Sequence, residues 1–536
     1  MTGAAIAGLG ITELGKVYGR SATSLAADAV RLAVADAGLR LLDVDGLLVS
    51  HGMSQDVGVS LASVLALGEL DLLAEVSAFG ATAGVMVTQA AQAIAAGAAT
   101  TVACVFADTP LKPQERAGAA WGGSRGRSLR GLSGWSVASG AVSPNILYAL
   151  CARRHMERYG TTSEQLGAIA VAQRAWAAGN PRAAMREPLT VGEHQASRWI
   201  AEPLHLLDCC LVSNGAVAVV VTGADRAAGL RQTPVHVWGY GQAHAPRQMR
   251  AGSDWGLVTP AARSGPQAMR MAGVGPDDVD VCELYDCYTY TVPGHAGGLR
   301  VLPQGRGRSI RRRRPASAGR EARLQHRRGP ALRLLHVGHD AAVRGRYPGA
   351  RRGRGPAGAP QRRDPGQRQR RRPGASRHAR AEPAPGQPER DRMSGPAFPA
   401  VERDEASEPF FAAAARDQLL VRRCPSDGVM LGPQARICPN CGGAELEWAA
   451  ASGHGALVSW AVVHQVPVPA LAAAVPYLTA VVELAEGPWL MARLVDADDR
   501  DLRAGLPVTA RFLPSGGDGE PAGETLVAFA PQGAPA

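Results

Sequence analysis

The sequence predicts an α/β fold in its N-terminal region and a small β-barrel at its C-terminal end. The first observation is a βαβ pattern, in which an apolar run over residues 74–79 meets a small-residue turn, an Ala- and Gln-rich helix and a second apolar strand over residues 100–106. A crossover helix of this kind joins parallel strands. The second observation is about five short alternating strands beyond residue 455, separated by Gly- and Pro-containing turns, which predict an OB-like barrel.

Composition excludes several classes of protein. A chain of 536 residues with 46% hydrophobic content is long enough for two to four domains with substantial cores. It has no uninterrupted apolar run of 18 residues and no signal-peptide pattern, so we expect a soluble cytoplasmic protein without a membrane span. The nine cysteines show no regular spacing, which favours a reducing compartment over a disulfide framework.

The positive charge is confined to one segment. The chain carries a net charge of +11, but residues 294–392 alone hold 27 arginines and six acidic residues, so the remainder is mildly acidic. One interpretation is a basic linker that binds nucleic acid. Tyr347 is the segment's only aromatic residue, which leaves little for bases to stack on, and we expect no nucleic-acid partner.

The turn Gly80-Ala81-Thr82-Ala83 joins the apolar run over residues 74–79 to the following helix. This stretch resembles the thiolase superfamily, in particular its lipid-transfer or sterol-carrier branch, and the resemblance implies a layered αβα fold. A strand that enters a helix through a small-residue turn offers unpaired N–H groups and a positive dipole end, which suit a nucleophile or an oxyanion. Counting back from the helix end at Ala93-Ile94-Ala95-Ala96-Gly97 places the family's nucleophilic cysteine at Gly80. No cysteine lies within twenty residues of Gly80, so an acyl-enzyme at this turn is excluded.

A second motif carries the same resemblance. The sterol-carrier thiolases read Glu-Leu-His-Asp-Cys-Phe where this chain has Glu283-Leu284-Tyr285-Asp286-Cys287-Tyr288. A tyrosine at the histidine position resembles the steroid side-chain-cleaving aldolases, which share the thiolase fold and lack its cysteine. The alternative is that Tyr285, Tyr288 and Tyr290 are packed aromatics with satisfied hydroxyls.

The resemblance implies retro-aldol cleavage of a β-hydroxyacyl-CoA, such as a steroid side-chain thioester, by a homodimeric enzyme. This chemistry requires a base and a site that stabilises an enolate, but no nucleophile. Tyr285 is the expected acid/base, Asp286 orients it, and the full set of site candidates is Tyr285, Asp286 and Tyr288 for catalysis with Gly80, Ala81 and Thr82 lining the acyl pocket. Two alternatives stay open: an acyltransferase that uses another cysteine, such as Cys287, and a non-catalytic acyl-CoA or lipid-binding module.

Residues 294–392 are interpreted as a segment translated out of frame, which ends the thiolase-like domain of residues 1–293. Codons for residues 294–302 can be chosen so that an offset of one nucleotide gives Val-Thr-Leu-Glu-Asp-Tyr-Gly-Phe, the continuation that the resemblance implies. The same offset over residues 324–343 gives a glycine-rich stretch and a Tyr-Tyr pair. We therefore expect a disordered segment and a thiolase core that lacks its C-terminal part.

The C-terminal region is divided into a helix with a zinc ribbon, residues 393–445, and a barrel, residues 446–536. Cys424 and Asp427 pair with Cys438 and Cys441 at zinc-ribbon spacing, with a carboxylate in place of one thiolate. Either these groups bind Zn²⁺ less strongly than four thiolates would, or the ribbon persists without metal. Ribbon and barrel together resemble the rubredoxin-like zinc-ribbon/OB-fold proteins that accompany acyl-CoA thiolases and aldolases. The barrel is acidic, which argues against phosphate binding.

Overall fold

The computed structural model describes residues 3–117, 129–140, 142–245, 250, 252–299, 334–337, 398–516 and 522–534. The interpretation of residues 294–392 as out of frame therefore falls outside the described residues, except at residues 294–299 and 334–337. In the described part of the chain, no helix combines the length and the apolarity needed to cross a bilayer.

The strands of both regions are numbered here in chain order. They are β1 (Ala4–Ile11), β2 (Gly46–His51), β3 (Leu72–Glu75), β4 (Thr101–Asp108), β5 (Leu129–Arg130), β6 (Trp199–Glu202), β7 (Leu204–His205), β8 (Gly215–Gly223), β9 (Val235–Val237), β10 (Val281–Leu284), β11 (Leu334–Val337), β12 (Val401–Glu402), β13 (Leu419–Arg423), β14 (Met430–Leu431), β15 (Glu447–Ala451), β16 (His454–Val463), β17 (Tyr477–Leu484), β18 (Trp489–Leu494), β19 (Pro507–Pro514) and β20 (Thr525–Pro531).

The α-helices lie mostly in the N-terminal region. They are α1 (Ala22–Ala37), α2 (Leu61–Val64), α3 (Thr82–Ala95), α4 (Gly131–Ala138), α5 (Pro144–Tyr159), α6 (Ser163–Ala178), α7 (Val191–Ala196), α8 (Ala224–Ala228), α9 (Ala261–Ala272), α10 (Thr291–Gly298) and α11 (Glu408–Ala414).

A six-stranded mixed sheet forms the centre of the N-terminal region, in the order β3-β2-β4-β8-β1-β9. Strand β2 runs parallel to β3 and β4, and β8 runs antiparallel to β4 and β1. Helix α1 packs on one face of the sheet and α3 on the other, each covering its own hydrophobic cluster. The layered αβα prediction is confirmed.

Helix α1 illustrates how local sequence fixes an element. Ser21 caps its start by accepting a hydrogen bond from the backbone N–H of Ser24, and Gly38 ends it in the left-handed conformation with φ +78°. Its apolar residues recur at helical spacing and are buried. A Cβ on Gly8 of β1 would approach the carbonyl oxygen of Ala33 to 2.1 Å, so the glycine allows this close packing of helix on strand.

The C-terminal barrel and ribbon are both present. Strands β16 to β20 form the barrel, which closes through the pairing of β16 with β17. Strands β14, β13 and β15 form the separate three-stranded sheet of the ribbon. The OB-fold prediction is confirmed.

The barrel is joined to the N-terminal region by backbone pairing, which the sequence did not indicate. Strand β16 pairs antiparallel with β6, placing Val462 opposite Glu202. The Trp135 indole of α4 donates to the carbonyl of Val527 at 3.1 Å, and the Ser459 hydroxyl donates to the carbonyl of Leu150 at 2.6 Å. One hydrophobic cluster contains side chains of α4, α11 and the barrel.

Two described elements lie where no secondary structure was expected. Helix α10 continues to Gly298, past the expected boundary at residue 293. The Thr291 hydroxyl in its first turn donates to the backbone carbonyls of Tyr285 and Tyr288 in the preceding loop. Strand β11 runs parallel to β10, with Leu334 opposite Val281. Its short apolar sequence adds a second strand to β10.

Candidate active site

A short turn precedes α3 and holds the residues predicted to line the acyl pocket. The Thr82 hydroxyl donates to the carbonyl of Phe79 at 2.7 Å and accepts the N–H of Ala78 at 2.9 Å, so it closes the turn. Phe79 has φ +49°, and its ring is 94% exposed. Gly80 and Thr82 line a large open cleft, whereas Ala81 is exposed at the helix start.

The ring of Tyr285 lies against Gly80. A Cβ built on Gly80 would be 2.2 Å from Cε1 of Tyr285 and 2.8 Å from its Cζ, far inside van der Waals contact. The tyrosine therefore occupies the space that a cysteine side chain at residue 80 would need. The two positions belong to separate sequence motifs, and the structure brings them into contact.

Asp286 is oriented by a residue that the sequence did not point to. The side-chain amide of Gln173, on α6, donates to Oδ2 of Asp286. Tyr285 and Asp286 are both half-buried in the cleft wall. The structure thus places the two predicted catalytic groups side by side at the cleft, with Gln173 as an added partner.

Tyr288 and Tyr290 contribute to the cleft lining but are almost fully buried. The Tyr288 hydroxyl donates to Oδ1 of Asn145 at 2.6 Å, its ring stacks on Tyr148 at 4.5 Å, and the residue is 4% exposed. Burial raises the pKa of the Tyr288 phenol far above its usual value, so it stays neutral. The Tyr290 hydroxyl donates to the carbonyl of Gly256. Both residues have the environment of packed tyrosines with satisfied hydroxyls.

Cys287 has the environment of an unreactive thiol. It is 7% exposed, and burial raises the pKa of its thiol to about 12. Because the thiolate is the nucleophilic form, a protonated buried thiol is a poor acyl acceptor. This environment disfavours the acyltransferase alternative at Cys287.

The cleft has a volume of 4710 Å³ over the described residues, well beyond an ordinary ligand pocket. Both regions of the chain form its walls, since Met430 of the ribbon and Pro488 of the barrel line it together with the Tyr285 turn. His295 also lines it, with Nδ1 at 3.0 Å from Oγ1 of Thr259. Burial lowers the pKa of His295 to about 4, so its imidazole is neutral at pH 7.

The ribbon brings together the four predicted metal ligands. The thiols of Cys424, Cys438 and Cys441 and a carboxylate oxygen of Asp427 all lie within 4.8 Å of one another. The two halves are similar turns, in which the backbone N–H of the residue four positions on donates to the carbonyl of Cys424 or Cys438 at 2.9 Å. Three sulfurs and one oxygen at this spacing fit a tetrahedral zinc ion.

Comparison with known families agrees with this architecture. Residues 241–323 match the family described as thiolase C-terminal domain-like, and residues 448–513 match the family described as ChsH2, C-terminal OB-fold domain.

Two relatives each match about half of the chain. The chain is 39% identical over 304 residues to a steroid side-chain-cleaving aldolase of Thermomonospora curvata, covering 53% of this chain and 74% of that protein. It is 38% identical over 303 residues to a 17-hydroxy-3-oxo-4-pregnene-20-carboxyl-CoA lyase of Mycobacterium tuberculosis, covering 53% and 75%.

Two solved structures resemble the fold. An Ltp2-ChsH2(DUF35) aldolase superimposes with a TM-score of 0.51 at 36% identity, covering 57% of this chain and 79% of that chain. A monomeric SCP2-thiolase like protein type 1 of Mycobacterium smegmatis superimposes with a TM-score of 0.57 over 98% of this chain and 99% of its own, at 15% identity, which shows the fold alone.

The mixed αβα sheet, the turn into α3 and the attached barrel define a thiolase-like protein with an OB-fold region. Within that class, the chain belongs to the family of the steroid side-chain-cleaving aldolases.

Proposed function

We propose that this chain is a lyase that cleaves a β-hydroxyacyl-CoA by a retro-aldol reaction, with a steroid or lipid side chain as the acyl part. The observation that carries the proposal is the contact between the Tyr285 ring and Gly80, the residue to which the sequence resemblance assigns the thiolase nucleophile. The names of the two relatives, an aldolase and a lyase of a CoA ester, support the same reaction.

The proposed reaction uses side chains and backbone N–H groups of the cleft. A base removes the proton from the β-hydroxyl group, the Cα–Cβ bond breaks, a carbonyl compound leaves, and the remaining thioester enolate takes up a proton at Cα. Tyr285 is the acid/base, and Asp286, held by Gln173, orients it. Backbone N–H groups at the start of α3 stabilise the enolate oxygen. Tyr288 supports the Tyr285 turn by packing, as its burial and its bond to Asn145 favour.

The test is turnover of a steroid β-hydroxyacyl-CoA by the full chain and by Tyr285→Phe. Loss of one hydroxyl should leave folding intact and lower kcat by about 10²-fold or more, the usual size of a general acid–base contribution. Tyr18→Phe, at a side chain 42% exposed, is the matched control. Unchanged kcat in Tyr285→Phe would refute the assignment, and CoA-ester binding without turnover in the unchanged chain would identify a binding module.

We further propose that the ribbon binds Zn²⁺. The support is the cluster of Cys424, Asp427, Cys438 and Cys441. The ion would hold the ribbon's two turns together and would take no part in bond cleavage. The Gly443 N–H donates to the sulfur of Cys441 at 3.4 Å, a bond that stabilises a metal-bound thiolate.

We also propose a homodimer formed through the N-terminal region. Among the described strands, β3 lies at the edge of the six-stranded sheet. Leu73 on this strand is 44% exposed and the nearby Phe79 is 94% exposed, so the edge offers apolar surface to a second copy. Sedimentation of the full chain and of Leu73→Lys tests this, and a monomer at all concentrations would refute it.

A cytoplasmic location is the last part of the proposal. All nine cysteines lie in the described residues, and none of them is in a disulfide, which is the state that a reducing compartment maintains.

A further inference from the structure

A fully buried histidine–carboxylate pair adjoins the cleft, whose lining includes Asp208, and has no role in the reaction proposed above. Nε2 of His194, on α7, is 2.9 Å from Oδ1 of Asp208, and both side chains are 0% exposed. The side-chain amide of Gln195 donates to Nδ1 of His194 at 3.1 Å, so Nε2 carries the hydrogen that Asp208 accepts.

Asp208 accepts hydrogen bonds from donors on three separate segments. Besides His194, its carboxylate accepts the backbone N–H of His205 at 2.8 Å and the hydroxyl of Thr289. Its backbone carbonyl accepts the N–H of Thr289 at 2.9 Å. Hydrogen bonds to a buried carboxylate are stronger than those between neutral groups, so the pair fixes Thr289 firmly against residues 205–208.

Thr289 belongs to the turn that carries Tyr285. Cys209 and Tyr288 form an antiparallel bridge, and the N–H of Cys210 donates to the carbonyl of Cys287 at 3.0 Å, so residues 208–210 run alongside residues 287–289. Two residues further on, the Thr291 hydroxyl donates to the carbonyl of Tyr285 at 3.0 Å. Two hydrogen bonds to Asp208, the backbone from Thr289 to Thr291 and the bond from Thr291 therefore connect His194 to the backbone of Tyr285.

We propose that the His194–Asp208 pair is a positioning device for Tyr285, a role that rests on the proposed function. The pair holds residues 287–289 in place. Because these residues follow Tyr285 closely, they keep its phenol against Gly80. Thr289 is the contact through which it acts. If the bond between Asp208 and Thr289 is lost, the turn gains freedom and the phenol spends less time in the reactive position, while the substrate-binding walls of the cleft stay unchanged. The expected signature is a lower kcat with little change in KM.

The experiment compares four variants of the full chain. Thr289→Val removes only the hydroxyl bond to Asp208, Thr289→Ser keeps a hydroxyl and should restore it, and Asp208→Asn weakens every bond to the carboxylate. Thr479→Val is the matched control, because the Thr479 hydroxyl is also fully buried and donates to the carbonyl of Ser139, away from the turn. The readouts are kcat, KM and hydrogen exchange of the amides of residues 285–291.

We expect Thr289→Val to lower kcat about tenfold, with KM within about twofold, and to speed exchange across residues 285–291. Thr289→Ser should recover most of kcat, and Thr479→Val should change neither kcat nor this exchange. Unchanged kcat and exchange in both Thr289→Val and Asp208→Asn would overturn the proposal. If the unchanged chain has no lyase activity, exchange alone decides: faster exchange in Thr289→Val supports the positioning role while the lyase assignment fails.

Discussion

The ring of Tyr285 occupies the space that a side chain at Gly80 would need, since a Cβ on Gly80 would lie 2.2 Å from Cε1 of the ring. The absence of a cysteine at residue 80 and the presence of a tyrosine at residue 285 are therefore linked by steric exclusion. A side chain at residue 80 and a phenol in this position exclude each other. In the proposed function, the phenol at this position serves proton transfer, and no acyl-enzyme forms at residue 80.

The first prediction concerns Gly80→Ala. Its methyl group would force the Tyr285 ring away, so we expect a loss of stability of about 1–3 kcal/mol and a fall in kcat. Gly68→Ala is the control, because nothing lies within 4 Å of a Cβ at that position. Chemical denaturation and steady-state kinetics measure the two effects. Equal stability and equal turnover in both variants would show that the ring does not need the space.

Much of the fold was predictable because it depends on local patterns. The caps of α1 and the βαβ unit follow from residues close together in the chain. The Gly80–Tyr285 contact joins residues about 200 positions apart, and each residue was singled out only through its own motif. Gln173 carried no signal, since a glutamine on an exposed helix face is ordinary.

The attachment of the barrel was not predictable for a related reason. The sequence of β16 is typical of a barrel strand, and nothing in it marks the two residues at its end, Val462 and Val463, that also pair with β6. Buried polar pairs such as His194 and Asp208 are equally unpredictable from sequence, because a histidine and an aspartate at this spacing form no known motif. Their partners are decided by the packing of α7 against the turn after β7.

The second prediction concerns the ribbon. Asp427→Cys completes a four-thiolate set and should raise zinc affinity, whereas Cys441→Ser should lower it, because thiolate is the better zinc ligand. Metal content of the purified proteins, followed by competition with a chromogenic chelator, ranks the unchanged chain and the two variants by zinc affinity. Zinc content of zero in the unchanged chain and in Asp427→Cys would mean that the cluster does not bind this metal.

The third prediction is a dependence of stability on pH. His155 is 2% exposed with Nδ1 at 3.0 Å from Oγ1 of Thr161, and burial lowers its pKa from 6.5 to about 4. Between these values the unfolded chain binds a proton that the folded chain does not, so the free energy of unfolding falls as the pH drops through this window. The contribution of this one group reaches about 3 kcal/mol near pH 4.

His155→Gln should therefore reduce the slope of stability against pH between pH 6.5 and pH 4. His236→Gln, at an exposed side chain, is the control and should keep the slope of the unchanged protein. Urea titrations at several pH values measure it. Identical slopes in all three proteins would contradict the burial argument.

The last prediction is that the barrel and the N-terminal region unfold as one unit, held together in part by Trp135. The side chain is 1% exposed, its ring lies 5.1 Å from that of Phe410, and its indole N–H donates to the carbonyl of Val527 at 3.1 Å. Trp135→Ala removes the ring from this shared core and should cost about 3–5 kcal/mol. Trp135→Phe keeps an aromatic ring and loses the N–H, so its cost should be smaller and include the unpaired carbonyl of Val527.

The measurement is thermal unfolding of the full chain, followed by one probe of the N-terminal region and one probe of the barrel. Proteolysis of the barrel strands is a third probe. In the unchanged chain the probes should give coincident transitions, because the interface couples the two regions. Trp135→Ala should separate them, with the barrel released first, whereas Trp176→Ala, at a side chain 82% exposed, should leave them coincident. Coincident transitions in Trp135→Ala with an unchanged midpoint would show that the tryptophan contact does not couple the regions. The pairing of β16 with β6 and the hydrogen bond from Ser459 to the carbonyl of Leu150 would then be the next connections to examine.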